Sequence, residues 1–412
     1  NIYQFIAMRV YVLWIFLSHV CVILGQRTQL DDFSYLIEPI KRITVNAFGS
    51  TGADPRRIRE SKRMGKTQKE FPMTTKFFCD TTDARSVERP TSVHKLRPGD
   101  IDVIGAMGDS LTVANGAMAT NVIQVNVENR GVSWNIGGQG TWRNYMTLPN
   151  IFKEFNPNLY GYSLTDSLST DRDSRFNVAD LGAMSEDMPH QAGNLIKRMR
   201  SDPKVNMTHD WKLVTIFIGN NDFCSNVCFQ SNPYDALKRH EEDLIKALRI
   251  LRDNIPRLLV NLVPPPNLKI ITEFTGMPRH CTLTHLFECA CLFGWRAKDM
   301  NLYDKIMNEW IQMDKKIADR DEFNKKDFTV NYQPFTSALK FPKLKSSKVD
   351  MRYLSMDCFH LSQRAHARSA NACWNNMLEA DGEKYPNWNK EFEVFKCPTP
   401  EKPYLMTREN SK

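Results

Sequence analysis

Four short stretches of this sequence carry residue types able to attack an acyl carbon and hold the charge that follows. The first is Gly108-Asp109-Ser110-Leu111-Thr112, directly after the apolar run 101–107. A serine hydroxyl is a weak nucleophile until a neighbouring base takes its proton. The second stretch, Asp357-Cys358-Phe359-His360, supplies such a base. An imidazole can accept the serine proton and return it to a leaving alcohol, and a carboxylate three residues earlier can orient the ring. The third is Ile218-Gly219-Asn220-Asn221-Asp222, where the Asn221 amide can donate to a developing oxyanion. The fourth is Asn177-Val178-Ala179-Asp180-Leu181-Gly182-Ala183, in which Gly182 lets a substrate oxygen approach the backbone closely. Each stretch alone also fits an ordinary turn. Gly-Asp-Ser and Gly-Asn-Asn are turn sequences, and Asp-x-x-His fits a surface pair. Their value lies in occurring together, in one order along one chain.

The elements that must position them follow from hydrophobic patterning. Runs 101–107, 213–218 and 258–263 are short and continuously apolar, as strands buried on both faces of a parallel sheet are. Two of the four stretches sit at the ends of such runs, where open α/β sheets place their ligands. Leu237, Leu244, Leu248, Leu251 and Ile255 recur at helical spacing between Pro233 and Pro256, with Asn232 as the expected cap. Leu195, Ile196 and Met199 predict a second helix. Leu302, Ile306, Trp310, Met313 and Ile317 predict a third, and residues 364–379 a fourth. Strands alternating with helices predict a three-layer α/β/α sandwich.

The order Ser110, Gly182, Asn221, His360 resembles the GDSL, or SGNH, hydrolase superfamily, whose four blocks supply those residue types in that order. The matches are Ser110 in GDSL, Gly182 in NxAxxGA, Asn221 in GxND and His360 in DxxH. The resemblance implies a mostly parallel sheet of about five strands between helices, with no cofactor and no metal. It also implies an oxyanion hole made of the Ser110 and Gly182 backbone N–H groups and the Asn221 side chain. Gly138, in the Gly-rich loop Asn135-Ile136-Gly137-Gly138-Gln139-Gly140, is an alternative donor. Its neighbours Trp134 and Trp142 are expected to support the pocket or to pack in the core. Further stretches are similar to the phospholipase B-like branch: residues 92–100, 135–142, 147–157 and 182–187, and Trp374-Asn375-Asn376-Met377. By that similarity the substrate is a phospholipid or lysophospholipid. Leu111, Val113, Phe223 and Phe359 flank the blocks and are expected either to line an acyl groove or to join the core. Some members of the branch carry tandem units and an anchor; the resemblance here covers one unit, from Cys79 to Leu378. A carboxylesterase acting on acetylated glycans or small esters, and a non-catalytic binding protein on the same scaffold, are the competing readings.

The 412 residues, 42% hydrophobic and 25% charged, are enough for a sizeable core. The net charge of +8 is partly local to residues 55–70, with seven Lys/Arg against two Glu. That stretch is expected to be a solvated segment open to processing or to an anionic surface. It has no interleaved aromatics, so nucleic acid is not an expected partner. Met8-Arg9 before the apolar run 10–24 is the pattern of a signal peptide over 1–25, which implies export. Residues 404–412 are polar, so no tail anchor is expected. The expected organisation is an extension of little regular structure over 26–97, a hydrolase domain over 98–397, and a tail over 398–412. Of ten cysteines, Cys21 falls in the signal, and the nine left predict disulfides with one thiol over. Cys373 is the candidate for that thiol or for an added bridge. A zinc site at Cys224, Cys228, Cys289 and Cys291 is the alternative for those four. Asn206-Met207-Thr208 is a glycosylation sequon, also suited to export.

Overall fold

The computed structural model describes residues 50–294 and 299–411, with 39, 41–43 and 45. The expected signal segment and Cys21 lie outside the described residues.

Four strands form one parallel sheet: β1 (Ile101–Gly108), β2 (Trp211–Phe217), β3 (Leu258–Val263) and β4 (Phe328–Tyr332), side by side in that order. Successive side chains of a strand point to opposite faces. Here both faces are apolar. Val103, Met107, Val214, Ile216, Leu258, Val260 and Leu262 enter one core with Leu195, Met199, Leu244, Leu248 and Leu251. Ile104, Ala106, Leu213, Phe217, Leu259 and Val263 enter the other, with Trp134, Phe152 and Trp374. A sheet covered on both faces is the three-layer α/β/α sandwich expected from the sequence. It has four strands instead of about five. Beside β1 the fifth position is filled piecewise, by isolated parallel bridges at Tyr160 and Asn177.

Among the described residues, the helices used below are α1 (Pro55–Arg63), α2 (Ser110–Val113), α3 (Leu148–Phe155), α4 (Met188–Ser201), α5 (Asn220–Ser225), α6 (Tyr234–Asn254), α7 (Arg279–Glu288), α8 (Met300–Ala318) and α9 (Gln363–Met377), with further short helical turns between. The four helices expected from periodicity correspond to α4, α6, α8 and α9. Asn232 caps α6 from just outside it, its side-chain oxygen accepting the Tyr234 N–H at 3.2 Å.

Residues 55–70 differ from the solvated segment expected of their charge. Asp54 caps α1 by accepting the Arg56 N–H. Beyond it, Lys66 Nζ donates to the carbonyls of Met351 and Leu354 at 2.7 Å, and Gln68 Nε2 donates to the Trp142 carbonyl. Phe71, Phe77 and Phe78 then pack around Trp142. The chain end is tied down too: the Leu405 N–H donates to Leu96 O and Asn410 Nδ2 to His94 O.

Four disulfides join Cys79–Cys397, Cys224–Cys289, Cys228–Cys291 and Cys281–Cys358. The zinc alternative is thereby overturned, because those four cysteines are consumed as two disulfides and offer no thiolate ligands. Among the described residues the free cysteine is Cys373, buried in α9 as the odd count required. Burial pushes its thiol well above the usual range. No helix among the described residues is long and apolar enough to cross a membrane.

Candidate active site

Adjacent strand ends deliver the first two blocks side by side. β1 ends at Gly108, where a Cβ would stand 2.4 Å from the Phe217 carbonyl oxygen, so only glycine fits. The chain then turns. Asp109, extended, caps α2 by accepting the Leu111 N–H at 2.9 Å, which places Ser110 at the first position of the turn. β2 ends one strand over and leads through Gly219 into α5. Asn220 Nδ2 donates to the Asp109 carboxylate at 2.9 Å, joining the Ser110 turn to the Asn221 turn. The Gly182 loop joins both. The Asp180 N–H donates to Gly108 O, and Asn221 Nδ2 donates to Ala183 O at 2.9 Å. Gly182 itself has φ +78°, a region that favours glycine. Among the described residues, no group of the chain accepts from the N–H of Ser110 or of Gly182.

The fourth block comes from the far end of the sequence, on the loop before α9. Asp357 Oδ1 accepts the backbone N–H groups of Phe359 and His360, each at 3.0 Å, and Oδ2 lies 2.5 Å from His360 Nδ1. A carboxylate can only accept there, so Nδ1 carries a proton, and in the neutral ring Nε2 is bare. His360 Nε2 stands 2.8 Å from Ser110 Oγ, within hydrogen-bond reach. All three groups are buried, with 5% of Ser110 exposed.

Burial alone lowers the pKa of His360. The charge and hydrogen bond of Asp357 outweigh it, with Glu288 and Asp109 adding, and the ring is raised. Asp357 is the converse: burial raises it, and the His360 charge and the hydrogen bonds bring it below the ordinary value. Asp109 is pushed up to about 6, chiefly by burial.

The loop is clamped by α7, which no spacing in the sequence announced. Cys281 is bonded to Cys358, Thr284 Oγ1 donates to Asp357 O at 2.6 Å, and His285 Nε2 donates to Cys358 O at 2.9 Å. Cys358 holds φ +65° under this clamp. A second unanticipated network lies beneath the Gly182 and Asn221 loops. Ser185 Oγ is 2.8 Å from His240 Nδ1, and His240 Nε2 donates to Asp314 at 2.6 Å. All three are buried without access to a substrate. Asp222, next to Asn221, accepts the Ser185 N–H, so the network braces the two loops. A signal for it existed: His240 falls on the apolar stripe of α6, between Leu237 and Leu244.

Beside Ser110 runs a narrow apolar cleft lined by Leu111, Trp134, Phe217, Ile271, Phe335 and Phe359, among others. Leu111 and Phe359 take the lining position expected of them. Val113 and Phe223 are core residues instead, Phe223 packed edge-on against Trp310. Gly138 does not serve the site: its N–H donates to Ser163 O, and its Cα packs on the Tyr162 ring. Two groups among the described residues have metal-ligand types close together. In His280/Cys281/Cys358 the sulfurs are bonded to each other, and Glu288/Asp357/His360 includes the acid–base pair itself.

The description "GDSL-like Lipase/Acylhydrolase" belongs to a family whose model matches residues 104–373, a span from β1 through α9. This chain belongs to that family. The chain is also 38% identical, over 342 residues, to "Phospholipase B1, membrane-associated" of Mus musculus, and 39% identical over 351 residues to the Homo sapiens protein of that name. These alignments cover 81% and 82% of the chain but only 22% and 23% of the relatives, so the chain spans under a quarter of their length. An extracellular lipase from Streptomyces rimosus is similar at 13% identity and a TM-score of 0.32, over 66% of this chain and 98% of that one.

Proposed function

We propose that this GDSL-family chain is a secreted serine ester hydrolase that cleaves acyl esters of phospholipids and lysophospholipids. The observation that carries the proposal is the hydrogen-bonded series Ser110–His360–Asp357, beside an apolar cleft. His360 Nε2 takes the Ser110 proton as Oγ attacks the ester carbonyl carbon. The tetrahedral oxyanion is held by the Ser110 N–H, the Gly182 N–H and the Asn221 amide, whose second N–H is left over from the bond to Ala183. His360 returns the proton to the departing alcohol. Water, activated in the same way, releases the acid from Ser110.

The substrate class rests on the cleft, which suits an acyl chain, and on the relatives named phospholipase B1. Export is supported by the disulfides, by the apolar run 10–24, and by Asn206, which stands exposed in a turn with Thr208 bonded to its side chain. The test offers diacyl phospholipid, lysophospholipid and short p-nitrophenyl esters side by side, with fluorophosphonate labelling of Ser110. Release of fatty acid from the lipids supports the proposal. Turnover of short or acetyl esters alone assigns another carboxylesterase, and no labelling assigns a non-catalytic scaffold.

Two further outcomes follow. Asn221→Ala lowers kcat by about 10²–10³ with little change in KM, because the lost donor acts on charge that develops only in the transition state. An unchanged kcat moves the oxyanion site elsewhere. Ile271→Ser, in the cleft wall, lowers kcat/KM for long-chain esters by roughly tenfold and spares acetyl esters, since only a long chain buries surface there. Equal losses on both substrates place the acyl chain outside this cleft.

A further inference from the structure

Glu288 has no part in the scheme above, yet it stands within it. It is the last residue of α7, and covalent bonds fix both ends of that helix. Cys281, in the first turn, is bonded to Cys358 in the loop that carries Asp357 and His360. Cys289, next to Glu288, is bonded to Cys224 in α5, the helix that begins with Asn220-Asn221. One carboxylate oxygen of Glu288, one of Asp357 and one ring nitrogen of His360 all lie within 4.8 Å of one another.

The placement is unfavourable for a carboxylate taken alone. A negative charge at the C-terminal end of a helix meets the negative end of its dipole. Asp357, a second carboxylate, adds repulsion. The Glu288 side chain is half-buried, and among the described residues no hydrogen bond or ion pair satisfies it in compensation. Burial first, and then Asp357, push its pKa up to about 7, against the opposing charge of His360.

The position becomes favourable once the ring is charged. His360 is neutral while it waits for the Ser110 proton and cationic after taking it. A fixed anion nearby is then worth more in the transition state than in the ground state. We infer that Glu288 is a positioning residue of the ester hydrolase proposed above: its carboxylate, held by the two disulfides, favours the imidazolium of His360 and thereby sets the pH range in which the enzyme works. The inference rests on that reading of the site.

The charged and titratable groups facing the ring are Asp357 from its own loop, Glu288 from α7, Asp109 from the nucleophile turn and His366 from α9. Lys66 and His285 face Asp357 from the other side. Two of the three anions facing the ring belong to the groups already assigned, and Glu288 is the third. Removing its charge lowers the ring's pKa. Free enzyme needs a neutral His360, so activity is lost as pH falls through that pKa. A lower pKa therefore moves the acid limb to lower pH.

The test is the pH profile of kcat/KM for a soluble ester in wild type, Glu288→Gln and Glu288→Asp. Gln keeps the shape without the charge; Asp keeps the charge. In E288Q the acid limb moves down by about half a pH unit or more and the plateau falls roughly threefold to tenfold. E288D keeps the limb near the wild-type position. An E288Q limb that superimposes on wild type overturns the inference, whatever happens to the plateau. Should E288Q fail to fold, the low-field Nδ1 proton resonance of His360 in the wild-type chain decides instead. Compared with the same resonance in Glu288→Ala, a step lost or moved to lower pH shows the Glu288 carboxylate at the ring, and superimposed titrations overturn the inference. A wild-type chain that neither labels with fluorophosphonate nor cleaves any ester refutes the hydrolase reading itself, and is told apart by that.

Discussion

Ser110→Ala abolishes ester hydrolysis and leaves the protein folded. The expected loss in kcat is about 10⁴–10⁶, the range for removing a nucleophile from a site whose remaining groups still bind and polarise the substrate. Little stability goes with it. Ser110 Oγ makes one hydrogen bond, to His360 Nε2, worth about 1 kcal/mol net. Alanine is at home in the first turn of a helix. The melting temperature should therefore shift by a few degrees at most, and the disulfides should form as before. Fluorophosphonate labels wild type and not the variant. The matching control is Ser185→Ala. Ser185 also contacts a histidine that pairs with an aspartate, but that network is sealed from solvent and can only brace the loops above it. Labelling persists in that variant. Full activity in Ser110→Ala places the nucleophile elsewhere.

The four blocks were legible because each is short, local in sequence and anchored to a strand end or a loop. What brings them together is the parallel sheet, and its first three strands show as apolar runs. β4 does not. Phe328-Thr329-Val330-Asn331-Tyr332 alternates like a half-exposed strand, yet both its faces are buried. Asn331 Nδ2 donates to Met406 O, far along the chain, and Thr329 Oγ1 donates to the side chain of Asn324 just before the strand, so the polar residues are satisfied by protein rather than by water. The order of residues 64–78 was hidden for the same reason. Nothing periodic marks them. They are held by Lys66 and Gln68 bonding to residues far along the chain. An odd cysteine count predicted one thiol left over, but no count can pair the rest. The α7 clamp on the Asp357–His360 loop depends on that pairing, which is why it and Glu288 went unseen.

Asp357→Asn separates the orienting role of this residue from the mere supply of charge. Asp357 Oδ1 accepts two backbone N–H groups, and Oδ2 accepts the ring proton. An asparagine has one oxygen. Keeping it on the two backbone donors preserves more hydrogen bonds, so the NH₂ group turns toward Nδ1. Nδ1 must then be the acceptor, and the ring proton moves to Nε2. In that tautomer His360 offers Ser110 a donor in place of a base. The expected loss in kcat is about 10⁴, far beyond the few-fold loss expected for Glu288→Gln. The two variants remove one negative charge each from the same ring. Asp357 is the nearer of the two, so a field effect alone already makes its loss the larger; the tautomer, which Asp357 sets and Glu288 does not, is read from the ring nitrogens. The check is turnover of a soluble ester at saturation, with the ring ¹⁵N shifts of His360 reporting which nitrogen holds the proton. Turnover within tenfold of wild type, with the proton still on Nδ1, shows that another group orients the ring. The Ser110–His360–Asp357 assignment then loses its third member while keeping the first two.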